Sequence, residues 1–81
     1  MRNVIYLTDT ELYRKIGQNI KKYRLISGLN QQQLADKAQI SISYLSKIES
    51  AKCSKSMSIS VLNQIANVLD VRIESFFEGE T

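Results

Sequence analysis

Apolar residues recur along this chain with two spacings, one of five residues that brackets a polar cap and one of three to four that runs between the brackets. Leu7-Thr8-Asp9-Thr10-Glu11-Leu12 and Leu29-Asn30-Gln31-Gln32-Gln33-Leu34 follow one rule. A cap residue, Thr8 or Asn30, is followed three positions later by Glu11 or Gln33, whose side chain can reach back to the cap N–H while the two leucines close as a staple. The same apolar bracket surrounds Ser41 (Ile40 and Leu45), Ser58 (Met57 and Leu62) and Arg72 (Val71 and Phe76). Five helix starts are therefore expected, the fifth without a side-chain acceptor at its cap.

From these starts the three-to-four spacing lays out five helices. Helix 1 runs from about Asp9 to Ser27 with Leu12, Ile16, Ile20 and Tyr23 inward, and Gly28 ends it in a left-handed conformation. Helix 2 is Gln31 to Ala38, and helix 3 runs from Ile42 to Ser50 with Leu45 and Ile48 inward. Helix 4 runs from about Ile59 to Leu69, with Ile59, Leu62, Ile65, Ala66 and Leu69 as its inner face, and helix 5 is Ile73 to Phe77. The connections are short except for one loop from Ala51 to Met57, so the expected fold is an all-α, five-helix bundle. Residues 8–78 form the domain, with an N-terminal arm or tail at 1–7 and a short tail at 79–81.

Composition narrows what such a bundle can do. The chain has 81 residues, no Pro and three Gly, and a chain this short buries roughly 60% of its unfolded surface, which leaves no room for a deep catalytic cleft. His is absent and Cys53 is the one cysteine, so neither an intramolecular disulfide nor the usual zinc ligand set is available. No apolar run is long enough to span a membrane and the N-terminus does not read as a signal peptide; a cytoplasmic location is expected. Neither an activated nucleophile nor a phosphate-cradling Gly loop is present, so the expectation is a protein with no enzymatic activity and no cofactor.

The net charge is a modest +3, but it is unevenly spread. Residues 12–55 carry nine basic side chains against Asp36 and Glu49, whereas residues 56–81 set Arg72 against Asp70, Glu74, Glu78 and Glu80. One basic end and one acidic end suit a polyanionic partner; solvated Lys on helix surfaces is the plainer alternative.

Helix 2, the turn Gln39-Ile40-Ser41 and helix 3 have the spacing of a helix-turn-helix. With Leu45 and Ile48 inward, helix 3 turns Ile42, Ser43, Ser46, Lys47 and Ser50 outward. An exposed Ile among small hydroxyls and one Lys suits a major groove: Ile42 against a thymine methyl, Ser43 at a base edge, Lys47 on guanine acceptors. The alternative is that Ile42 packs under a neighbouring loop. Gln31, Gln32 and the N–H groups opening helix 2 form an anion site, Tyr44 can offer its hydroxyl, and Lys52 and Lys55 in the following loop add cations for phosphates.

These residues resemble the phage-repressor-like (Cro/C1-type) helix-turn-helix domains of bacterial regulators. The resemblance covers about Ile16 to Phe77, through Ile16-Gly17, Tyr23-Arg24, Gly28-Leu29-Asn30-Gln31, Leu34-Ala35, Ile40-Ser41, Tyr44-Leu45-Ser46-Lys47-Ile48-Glu49 and Leu69-Asp70-Val71. It looks most like short stand-alone members such as sporulation-inhibition-type repressors and restriction-modification controller proteins. The resemblance implies a transcriptional regulator, most often a repressor, binding double-stranded DNA as a homodimer on a near-palindromic operator. It assigns base reading to Ile42, Ser43 and Lys47, and phosphate contacts to Gln31, Tyr44, Lys52 and Lys55. Arg24 and Glu49 match positions that pair as a structural ion pair between helices 1 and 3. Gln39 departs from a family Gly at the turn, at about 1 kcal/mol if the left-handed conformation is kept. Ala51 and Met57 also depart, from a favoured Gly and a frequent Pro, and the loop between them is about one residue long for the family.

For the dimer surface the C-terminal residues Leu69, Val71, Ile73, Phe76 and Phe77 are favoured, since two adjacent Phe on a short terminal helix are hard to bury together in one small domain. No sensor domain is visible, so no small-molecule effector is expected. The competing reading is a protein-interaction module, antitoxin-like or polymerase-binding, using the same helix 3 face. RNA fits less well, because A-form duplexes lack a wide major groove.

Overall fold

The computed structural model describes residues 7–50 and 57–79. Four α-helices, α1 (Asp9–Ile26), α2 (Gln31–Ala38), α3 (Ile42–Glu49) and α4 (Ile59–Leu69), are followed by a 3-10 helix, Ile73–Phe77. No strand occurs among the described residues. The all-α expectation holds, with the fifth element wound as a 3-10 rather than an α-helix.

Local chemistry fixes the helix starts. Thr8 and Glu11 form a reciprocal capping box, as do Asn30 and Gln33, and each box satisfies two backbone donors that the first helical turn leaves without partners. The Ser41 and Ser58 hydroxyls accept from Tyr44 and Val61 N–H. Arg72 supplies no side-chain cap, and the element it opens is a single tight 3-10 stretch.

Three of the α-helix ends also share one motif. Gly28, Gln39 and Asp70 take the left-handed conformation after α1, α2 and α4, with φ of 75°, 61° and 57°. Each places its own N–H and that of the next residue (Leu29, Ile40, Val71) on carbonyls of the last turn, and that next residue packs its apolar side chain against the core. Gly28 adopts this conformation without strain, whereas Gln39 pushes a Cβ against its own carbonyl. Gln39→Gly is therefore expected to stabilise the domain by about 1 kcal/mol, a rise of roughly 4 to 8 °C in Tm by thermal melting. An unchanged or lower Tm would show that the Gln side chain contributes something the conformation does not reveal.

The core gathers Ile16 and Ile20 of α1, Leu34, Ala35 and Ala38 of α2, Leu45 and Ile48 of α3, Leu62, Ile65, Ala66 and Leu69 of α4, and Phe76. Phe76 is its largest fully buried side chain. Two expectations need correction here. Ile59 is 67% exposed rather than part of the inner face of α4, because it is the first helical residue and the inward stripe begins with half-buried Val61 and buried Leu62. Leu69 and Phe76 are interior residues of this domain, so only Val71, Ile73 and Phe77 of the anticipated dimer surface reach the outside. Residues 1–6 of the expected arm and residues 80–81 of the tail lie outside the described residues, as does the loop 51–56.

Candidate nucleic-acid interface

Between α2 and α3 the chain turns in three residues, Gln39 to Ser41, and α3 departs with Leu45 and Ile48 fully buried. One turn of helix separates these two anchors, so the residues around them on the far side must face out. Ser43, Ser46 and Lys47 are exposed, and Ile42 keeps 41% of its surface in solvent. Together with Gln31 these four line one shallow, open depression. The sequence-predicted base readers Ile42, Ser43 and Lys47 thus share a single surface.

The C-terminal end of α3 is held from α1. Arg24 Nε donates to Glu49 Oε2 and its Nη2 to Oε1, both at 2.8 Å, so the guanidinium grips the carboxylate by two parallel bonds. The side chains are 8% and 2% exposed, and the remaining guanidinium nitrogen donates to the Leu29 carbonyl at 2.8 Å. The hydrogen bonds that the guanidinium donates to Glu49 raise the Arg24 pKa above its ordinary value, against the opposing effect of burial. No described side-chain polar atom that is buried lacks a partner.

Two further residues, neither assigned a role above, complete this junction. Gln18 Nε2 donates to the Glu49 carbonyl at 3.0 Å, satisfying an acceptor at the helix end. Gly17 lies where α1 crosses α3 so closely that a Cβ would sit inside the van der Waals envelope of the Ile48 carbonyl oxygen, with the carbonyl carbon 3.0 Å away. A glycine in mid-helix is itself a signal, since it weakens the helix by about 1 kcal/mol and persists for a packing reason.

The anticipated phosphate contacts divide into three cases. Gln31 bridges two roles: its Nε2 donates to Glu49 Oε1 at 3.1 Å while the residue lines the α3 depression. Gln32 is exposed and donates to Asp36 Oδ1 at 2.8 Å along its own helix. Asn30 takes the Gln33 N–H, which leaves the Gln31 and Gln32 N–H groups at the positive end of the α2 dipole. Tyr44 is half-buried with its ring against the core. Lys52 and Lys55 lie outside the described residues.

Among the described residues there is no cluster of His, Cys, Asp and Glu suited to a metal ion. No described helix is long and apolar enough to cross a membrane.

The helix-turn-helix family profile matches residues 20–76. The chain is 40% identical over 63 residues to the HTH-type transcriptional regulator SinR of Bacillus subtilis, covering 78% of this chain and 56% of that protein. It spans about half the length of the curated relatives it matches. Its backbone superposes on SinR, the master regulator for biofilm formation, in complex with DNA, with a TM-score of 0.72 at 40% identity over 78% of this chain and 98% of that one. The restriction-modification controller protein C.AhdI of Aeromonas hydrophila gives a TM-score of 0.73 at 26% identity, over 80% of this chain and 96% of that one. By its two anchored helices, its three-residue turn and these likenesses, the chain belongs to the phage-repressor-like (Cro/C1-type) helix-turn-helix family.

Proposed function

We propose that this chain is a sequence-specific DNA-binding transcriptional regulator that acts as a homodimer on a near-palindromic operator, with α3 of each subunit in the major groove. The observation that carries the reading is the open face of Ile42, Ser43, Ser46 and Lys47 on a helix whose other side is locked by Leu45, Ile48 and the Arg24–Glu49 pair. A groove reader needs both properties. The side chains must reach base edges, and their helix must not shift when it is pushed against a duplex.

In this reading Ile42 packs on a thymine methyl, Ser43 bonds a base edge and Lys47 donates to guanine O6 or N7. Phosphates lie at the α2 N-terminus, on the N–H groups and side chains of Gln31 and Gln32, beside the Tyr44 hydroxyl, and along Lys52 and Lys55. Phe77, 41% exposed, with half-buried Ile73 and Val71, forms the contact with a second copy, supported from beneath by Leu69 and Phe76. Two-fold symmetry then sets the half-sites about 34 Å apart. The reading is strengthened by the DNA-bound SinR to which this chain is similar. It is regulation by occupancy, with no catalytic step and no cofactor.

Selection of bound sequences from random duplexes tests this directly. Enrichment of a two-fold symmetric site is expected, with affinity falling steeply as salt rises, at a log-log slope of about −5 for six or so neutralised phosphates. No enrichment together with a flat salt response would favour a protein partner on the α3 face instead. Within the enriched site, Lys47→Ala is expected to relax the preference at one base pair per half-site and to weaken binding by about 1 to 3 kcal/mol. Lys52→Ala should weaken all duplexes alike, and matching effects from the two variants would undo this division of roles.

A further inference from the structure

Lys15, Asn19 and Tyr23 lie one turn apart on one face of α1, and all three hold the chain at and after the 3-10 helix. Lys15 Nζ donates to the Gly79 carbonyl at 2.9 Å. Asn19 Nδ2 donates to two carbonyls, those of Phe76 and Glu78, both at 2.7 Å. The Tyr23 hydroxyl donates to Glu78 Oε1 at 2.6 Å, and its ring tilts against that of Phe76 with centroids 6.4 Å apart. The stretch 76–79 thus hangs from a single helix face. A five-residue 3-10 helix with no side-chain cap has little stability of its own, so its placement comes from this clasp and from Phe76 in the core.

The other side of α1 grips α3 through Gly17, Gln18 and Arg24. One continuous helix therefore connects the reading helix to the C-terminal surface. Asn19 is the centre of the connection, because its amide nitrogen serves two carbonyls that no aliphatic or carboxylate side chain could serve as a donor.

We propose that Asn19 is a positioning residue for DNA reading: by fixing the Phe76–Gly79 segment on α1, it sets the distance and angle between the reading helices of a dimer, and so the half-site spacing that the protein accepts. The inference rests on the dimeric, DNA-reading function proposed above. A rigid path from reader to subunit contact lets both half-sites be engaged at once only at one separation, whereas a loosened path weakens simultaneous engagement and tolerates several.

The test compares the wild-type chain and Asn19→Ala on three duplexes: a single selected half-site, two half-sites at the selected spacing, and two half-sites with one base pair added or removed. Wild-type protein is expected to prefer the selected spacing by about tenfold or more over the altered ones. Asn19→Ala should keep single half-site affinity within about threefold of wild type while losing most of that preference. Tyr23→Phe, which removes the hydroxyl that bonds Glu78 and leaves the Asn19 bonds in place, should shift the preference in the same direction by a smaller factor and serves if Asn19→Ala does not fold. Preserved spacing preference in a folded variant, or an equal loss on all three duplexes, would overturn the assignment. A wild-type chain that binds one and two half-sites alike would instead remove the dimeric reading on which it stands.

Discussion

Gly17→Ala should be the most damaging single-methyl change in this protein, lowering stability by about 3 kcal/mol and the Tm by roughly 12 to 24 °C. Two effects oppose each other at this position. Alanine is the better helix former by about 1 kcal/mol, which alone would raise stability. Against it, the new methyl meets the backbone carbonyl of Ile48, which cannot rotate aside as a side chain could, with the carbonyl carbon 3.0 Å distant. Relief requires α1 and α3 to separate along their crossing, which loosens Ile16, Ile20, Leu45 and Ile48 together and stretches the Arg24–Glu49 bonds. For a domain whose total stability is on the order of 5 to 15 kcal/mol, the steric term wins. Thermal melting of the variant checks it, and a Tm equal to or above that of the parent would mean the two helices have room that their geometry denies.

The second large effect concerns the junction itself. Glu49→Ala leaves the Arg24 guanidinium buried without its carboxylate and also removes the acceptor for Gln31, so a loss of about 3 to 5 kcal/mol is expected in urea unfolding. The pair need not be the most stable filling of that space. Arg24→Met combined with Glu49→Leu removes both charges at similar volume and should recover most of the loss. Such recovery would mark the ion pair as a strut fixing direction rather than a source of stability. Because Arg24 has its pKa raised in the folded chain, its contribution is complete at every pH below the ordinary arginine range and fades only as pH rises through that shifted value. Arg24 therefore adds no pH dependence near neutrality. A double variant as unstable as Glu49→Ala would show that the loss came from packing rather than from stranded charge.

What the amino-acid order makes legible, and what it does not, divides by the range of the interaction. Thr8 with Glu11 and Asn30 with Gln33 act within one helical turn, and their capping boxes are visible as letter spacings alone. The outward direction of Ser43 and Lys47 follows from periodicity, because Leu45 and Ile48 are buried on the opposite side of α3, whereas Ile42, one turn before Leu45, is exposed as the first residue of the helix. The fifth helix start carries its own warning in Arg72, and the element is a 3-10 helix with no side-chain cap.

The long-range parts are not legible in this way. Asn19 binds carbonyls 57 and 59 residues away, a partnership that no local pattern encodes. Gln31 reads as a phosphate ligand from its place at a helix start, yet the same amide bonds Glu49 across 18 residues. Adjacent Phe76 and Phe77 look equivalent as letters. Only the path of the 3-10 helix over α1 sends one into the core and leaves the other 41% exposed.

Backbone amide resonances followed through a titration with the selected duplex test the central proposal most directly. The largest shifts are expected at Ile42, Ser43, Ser46 and Lys47 and at the opening of α2, Gln31 and Gln32, with the buried residues Leu45 and Ile48 following their helix. Shifts centred on the exposed α1 residues Lys21 and Lys22, with α3 unperturbed, would contradict it.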